Sequence, residues 1–124
     1  MYLYEIAQID IVDFHPVFLA FLRQNSDDVG LLWRLARANY ELQKSLSSDS
    51  AKLEALQGTF SVVERALTID SEDPNAHKWV AIYMNAITKI QGSKAQIEKG
   101  QAIKEHMLVS FLLRTCLLVK VTGE

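Results

Sequence analysis

The sequence predicts an all-α protein in which antiparallel helix hairpins stack into a single domain. Apolar residues recur at intervals of three and four along most of the chain, as in the run Leu53, Leu56, Phe60, Val63 and Leu67, and this spacing gives a helix one apolar stripe. No segment of useful length alternates apolar and polar residues, so we expect no strand. The 124 residues are 49% hydrophobic, which is enough to bury one core.

Turn and capping residues separate the predicted helices. The Ser/Asp-rich stretch 47–50 ends one helix and starts the next. Asp73 and Pro74 are expected at the N-cap and the first helical position, where proline costs no hydrogen bond. Gly92 predicts the end of a helix, and Ser93 followed by Gln96 predicts a capping box at the start of the next. The predicted helices cover about residues 2–9, 14–24, 28–46, 51–69, 74–90 and 94–119.

Two units of similar sequence follow the first two predicted helices. Each begins with a tryptophan, Trp33 or Trp79, and its second helix carries a small residue followed by an apolar one, at 66–67 and at 102–103. Neither hairpin could bury its apolar stripe alone, so we expect the two units to stack. The residues predicted to form the repeat core are Trp33, Tyr40, Ala66, Leu67, Trp79, Ile82 and Ala102.

The two units resemble the tetratricopeptide repeat, with departures from its pattern. Trp33 and Tyr40 match the Trp and Tyr of that pattern. Ala36 and Arg37 replace its Leu-Gly pair, and Tyr83 stands where the second unit should have glycine. The resemblance implies degenerate repeats in a fragment of a right-handed α-solenoid. Because glycine normally lets the helices approach closely, we expect an altered crossing geometry.

Four blocks of sequence, in this order, make the chain similar to the regulator of microtubule dynamics family. They are residues 31–38, 64–67, 76–82 and 103–106. The resemblance implies a non-enzymatic protein of the cytoplasm that associates with microtubules and the spindle, and it also implies a location at mitochondria. The alternative is a generic tetratricopeptide-type adaptor that binds a peptide or helix of a partner protein.

The domain of residues 1–124 divides into N-terminal helices (1–27), a first repeat (28–70), a second repeat (74–106) and an apolar tail (107–124). The tail departs from the family's pattern, which suggests a truncated or alternative product. Its apolar run of 15 residues, 107–121, contains Arg114 and Lys120, whereas a membrane span needs roughly 18–20 residues with few charges. We expect the run to pack on the second repeat, to pair with a second copy as a homo-oligomer, or to be covered by a partner. Cys116, within it, is expected to be buried and inert.

No residue pattern predicts catalysis, a cofactor or a metal. His15, His77 and His106 are far apart in sequence, and no pair has the i, i+4 spacing that presents two ring nitrogens to one ion. The five glycines form no phosphate-binding loop. A net charge of −2 argues against a nucleic-acid binder. We therefore expect neither an enzyme nor a partner of nucleic acid.

Charge is segregated along the chain. Residues 1–75 carry 6 basic and 12 acidic side chains, a net −6, and residues 76–124 carry 7 basic and 3 acidic ones, a net +4, which together give −2. The basic half could contact the acidic tails of tubulin, or its cations could simply be solvated. The candidate partner-binding residues are Lys78, Lys89, Lys94, Lys99 and Lys104.

Aromatic side chains offer a second surface. They could line a peptide groove, or they could fill the seams between helices, as large aromatic side chains at helical spacing usually do. The residues concerned are Trp33, Tyr40, Trp79 and Tyr83.

Overall fold

The computed structural model of the chain describes residues 27–121, and these form four helices. In chain order the helices are α1 (Val29–Gln43), α2 (Asp49–Ile69), α3 (Pro74–Gln91) and α4 (Ser93–Val121). The described residues contain no strand, so the predicted all-α class is confirmed. The helices predicted at 2–9 and 14–24 lie outside the described residues.

Side-chain caps begin the first three helices. Asp28 and Ser48 each accept a hydrogen bond of 3.1 Å from the backbone amide three residues further on, and Asp73 accepts one of 3.1 Å from the amide two residues on. Pro74 occupies the start of α3, as predicted. Each such cap satisfies a backbone N–H that the helix itself leaves without a partner.

The start of α4 differs from the prediction. Gly92 adopts a φ of 116°, and its amide donates to the Thr88 carbonyl at 2.9 Å. The amide of Gln96 donates to the Gly92 carbonyl at 3.1 Å, so Gly92 serves as the cap and Ser93 is already the first helical residue. The predicted capping box is therefore wrong. A single glycine ends α3 and starts α4 because only glycine adopts this left-handed conformation at little cost.

Helix α3 lies at the centre of the described residues, since it contacts α1, α2 and α4, while α1 also contacts α2. The buried residues of both apolar clusters come from α1, α2 and α3. The smaller cluster contains Leu32, Leu35, Ala66 and Ala76. The larger one contains Ala36, Leu56, Val63, Trp79, Val80, Tyr83 and Ile87. The contacts of α1 with α2, of α2 with α3 and of α3 with α4 are those expected of stacked hairpins. The more specific likeness to tetratricopeptide repeats stays a prediction.

Tyr83 ties α3 to α1 at the position where the repeat pattern expects glycine. Its side chain is fully buried, and its hydroxyl donates to the Ala36 carbonyl at 2.6 Å. The same hydroxyl accepts a hydrogen bond of 3.1 Å from the side-chain amide of Asn39. Burial raises the pKa of the Tyr83 phenol above its ordinary value, which keeps it a neutral donor.

The described part of the apolar tail, residues 107–116, is only partly covered. Of the side chains described in α4, which are those of residues 93–116, only Ser110 is buried, and its hydroxyl donates to the Pro74 carbonyl at 2.7 Å. The opposite face is exposed, with Phe111 at 66% and Leu108 at 58%. Cys116 is exposed as well, so its expected burial is wrong. Within the part of the chain that the structure describes, no helix is long and apolar enough to cross a membrane.

Candidate functional site

A groove of about 510 Å³ opens between α2, α3 and α4. Its apolar lining comes from α2 and α3, and opposite charges stand across it, with Glu64 on α2 and Lys99 on α4. Such a cleft can bury an apolar side chain or the apolar face of a helix, while a few polar groups fix its orientation. The residues around it are Gln57, Phe60, Glu64, Leu67, Thr68, Val80, Met84, Ile87, Thr88, Gln91, Lys99 and His106.

Two histidines meet at the edge of this groove. The Nδ1 atoms of His77 and His106 lie 3.0 Å apart, and Nε2 of His77 lies 2.7 Å from the Ser71 carbonyl. A carbonyl can only accept, so this network assigns the His77 proton to Nε2 and makes His106 the donor between the two rings. Their separation of 29 residues in sequence is therefore not a separation in space, because α4 lies alongside α3 and brings His106 to His77.

This histidine pair is arranged to share one proton. The ring centres are 5.2 Å apart, which exceeds the separation of the nitrogens by about two ring radii, so the nitrogens face each other and not a common third point. Burial, followed by the nearby His77, lowers the pKa of His106. Protonation of both rings would place two positive charges in contact. Among the described residues, no group of three or more His, Cys, Asp or Glu could hold a metal ion.

The predicted lysines do not share one face. Lys78 is half-buried, with its Nζ 5.8 Å from the centre of the Trp79 ring. The other four, Lys89, Lys94, Lys99 and Lys104, are exposed. Steps of five residues turn a helix by about 140°, so the three lysines of α4 project to different sides. Of the five predicted lysines, only Lys99 lines the groove.

The predicted repeat core is buried to different degrees. Trp79 and Ala66 are buried, as is Tyr83. The rings of Tyr40 and Trp79 meet edge to face with centres 5.7 Å apart, and Tyr40 lies 6.0 Å from Tyr83. The remaining predicted core residues are half-buried, and they are Trp33, Tyr40, Leu67, Ile82 and Ala102.

Cationic side chains lie over these aromatic rings, a feature that the sequence reasoning missed. The guanidinium groups of Arg34 and Arg37 lie 4.6 Å and 5.5 Å from the centre of the Trp33 ring. The ammonium of Lys44 lies 4.9 Å from that of Tyr40. We call this surface of α1 and α3 the cation–aromatic strip, and it consists of Trp33, Arg34, Arg37, Tyr40, Lys44, Lys78 and Trp79.

Comparison with known proteins gives one consistent result. The family model "Regulator of microtubule dynamics protein 1-3" matches residues 2–115. The chain is similar to regulator of microtubule dynamics protein 1 of Pongo abelii, with 37% identity over 84 residues, which are 67% of this chain and 27% of that protein. It is also similar to protein 2 of Mus musculus, with 26% identity over 88 residues, which are 71% of this chain and 22% of that protein. The chain thus spans about a quarter of the length of these relatives. No solved structure matches it.

Proposed function

Because the chain belongs to the regulator of microtubule dynamics family, we propose that it is a non-enzymatic helical interaction module that associates with microtubules. The observation that carries this proposal is the family match over residues 2–115, which includes α1, α2, α3 and α4 as far as residue 115. The names of the relatives at 37% and 26% identity support a role connected with microtubules. Location at the spindle, elsewhere in the cytoplasm and at mitochondria belongs to the same proposal.

The physical basis of the association is electrostatic attraction to acidic tubulin. The exposed cations of the described residues include Arg34 and Arg37 on α1 and four of the five predicted lysines. Attraction between exposed charges is screened beyond about 10 Å at 0.1 M salt. We therefore expect the affinity for microtubules to fall steeply as the salt concentration rises.

Co-sedimentation with polymerised tubulin tests the proposal. The full chain should pellet with microtubules at low salt, remain in the supernatant without them, and be released progressively as salt is added. Unpolymerised tubulin in a pull-down is the matched control, because it shows whether the polymer itself is required. A chain that stays in the supernatant at low salt, although circular dichroism shows it to be helical, would mean that the proposal is wrong.

The groove supports a second candidate, an adaptor that binds a helix or peptide of another protein. Its apolar floor contains Val80, Met84 and Ile87, and its volume of about 510 Å³ is sufficient for a few apolar side chains. Changing Met84 to Lys would place a charge on that floor. This variant should keep its microtubule binding if the cationic surface carries the association, and lose it if the groove does.

A further inference from the structure

The cation–aromatic strip has a regular register along α1. Trp33, Arg37, Tyr40 and Lys44 follow one another at steps of four, three and four, which places them on one face of the helix. Their backbone spans about 16 Å, at 1.5 Å per residue. The strip continues onto α3 because the Tyr40 ring contacts the Trp79 ring, over which Lys78 lies.

The strip is cationic. It carries Arg34, Arg37, Lys44 and Lys78, and the carboxylate of Glu41 pairs with Lys44 at 3.1 Å. Among the described residues, no carboxylate lies within 4.0 Å of the cationic nitrogens of the other three. A cation held over a ring gives up less side-chain freedom when an anion arrives, so a bound carboxylate meets donors that are already positioned. Arginine adds a planar pair of N–H donors that fits a carboxylate.

Two classes of polyanion carry negative charge that fits a cationic strip, namely nucleic acid and acidic polypeptide. Nucleic acid is disfavoured, because its affinity depends on a clear excess of cations over a wide surface and the chain has a net charge of −2, whereas a short acidic segment needs only the few cations of the strip. An extended polypeptide advances about 3.3 Å per residue, so five residues cover the 16 Å of the strip. An acidic residue at every second position would then place its carboxylates along one side, facing the cations.

We propose that the cation–aromatic strip is the docking surface for an acidic, extended polypeptide segment. On a microtubule, this segment is an acidic tail of tubulin; that identification rests on the proposed function. The strip shares only Lys78 with the lysines that the sequence singles out. The exposed lysines of α4 are then solvated and contribute little beyond long-range attraction.

Direct binding of a synthetic peptide tests this site without microtubules. The two tryptophans of the chain both belong to the strip, and because Trp33 is half-buried whereas Trp79 is buried, a change in emission reports chiefly on Trp33. Titration with a glutamate-rich peptide should change the emission, whereas a serine-rich peptide of equal length should not. A single-stranded oligonucleotide serves as the competing polyanion. If it bound more tightly than the peptide at the same salt, the choice of an acidic polypeptide would be wrong.

Matched charge reversals locate the site. Arg34→Glu with Arg37→Glu should weaken peptide binding by about tenfold or more. Lys94→Glu with Lys104→Glu changes the net charge equally on the exposed sides of α4 and should weaken it about twofold or less. If the strip variant lost its helical signal, Arg34→Gln with Arg37→Gln would replace it. Equal losses in the two variants, or no loss in either, would overturn the inference.

Microtubules with and without their acidic tails separate this inference from the proposed function. If the full chain and its strip variant pellet equally with both, the microtubule association stands and the docking surface is wrong. If the full chain pellets with neither but binds the acidic peptide through the strip, the microtubule association is wrong and the docking surface stands. Loss of pelleting after either tail removal or strip reversal is the expected result.

Discussion

Removing the Tyr83 hydroxyl should weaken the attachment of α3 to α1. In Tyr83→Phe the ring keeps its place in the core, but the Ala36 carbonyl loses a bond of 2.6 Å and the Asn39 amide loses its acceptor at 3.1 Å. The carbonyl keeps its bonding role within α1. Asn39 is buried and keeps only a contact of 3.5 Å to the Ala55 carbonyl.

The expected cost follows from the groups left without partners. A buried polar group that loses its hydrogen-bond partner costs about 1–3 kcal/mol, and here the main such group is the Asn39 amide. We therefore expect the free energy of unfolding to fall by about 2 kcal/mol. For a domain of this size that loss corresponds to a decrease of roughly 8 °C in the midpoint of thermal unfolding.

Thermal and urea unfolding followed by circular dichroism measure this loss. Tyr40→Phe is the matched control, because Tyr40 packs 6.0 Å from Tyr83 but is half-buried and more accessible to water. Its expected cost is below about 0.5 kcal/mol. Adding Asn39→Leu to Tyr83→Phe should cost less than the sum of the single changes, because both polar partners are then gone. A Tyr83→Phe cost equal to that of the control would refute the reasoning.

Three further predictions concern single groups. Thr59→Val should stabilise the fold by about 1 kcal/mol in urea unfolding, because Thr59 is fully buried and its hydroxyl has no hydrogen-bond partner among the described residues; a loss of stability would contradict this. Asp73→Ala removes the cap of α3 and should lower the free energy of unfolding by about 1 kcal/mol, whereas Asp73→Asn should lower it by only about 0.3 kcal/mol. Burial lowers the pKa of His106 in the folded chain, so the unfolded chain binds more protons and stability falls as pH drops through the ordinary histidine pKa of about 6.5. The thermal midpoint of the wild type should fall more steeply between about pH 7.5 and about pH 5.5 than that of His106→Gln, and parallel curves would exclude this role.

The helices were predictable where the signal lies within one turn of chain. Asp73 and Pro74 predicted the start of α3 because capping depends only on adjacent residues and their amides. Gly92 ends α3, as predicted, but the capping box expected at Ser93 was wrong because Gly92 also provides the cap of α4. Apolar composition likewise predicted that residue 116 would be buried, although only one face of α4 lies against α3.

Contacts between helices depend on crossing geometry, which periodicity does not determine. The spacing gave each helix an apolar face but not the partner of each side chain, so it did not predict that His77 meets His106, or that the Tyr83 hydroxyl reaches the Ala36 carbonyl 47 residues away. The α1 part of the cation–aromatic strip was accessible from its spacing of four, three and four. Its extension to Trp79 was not, because that requires the contact of α3 with α1.

The contact of α1 with α3 links the stability of the fold to the proposed docking surface. The Tyr40 ring lies between the two, since it touches Trp79 of the strip and Tyr83 of the buried network. A segment bound across both helices binds only the folded chain, so at a hundred times its Kd it would add about 2.7 kcal/mol to the free energy of unfolding. Tyr83→Phe lowers the intrinsic stability without removing charge, and reversal of Arg34 and Arg37 removes the charge without touching the phenol. At that concentration the acidic peptide should therefore stabilise the first variant by about 2.7 kcal/mol, but the second, which binds about tenfold more weakly, by about 1.4 kcal/mol or less, which separates folding from binding in one set of melting curves.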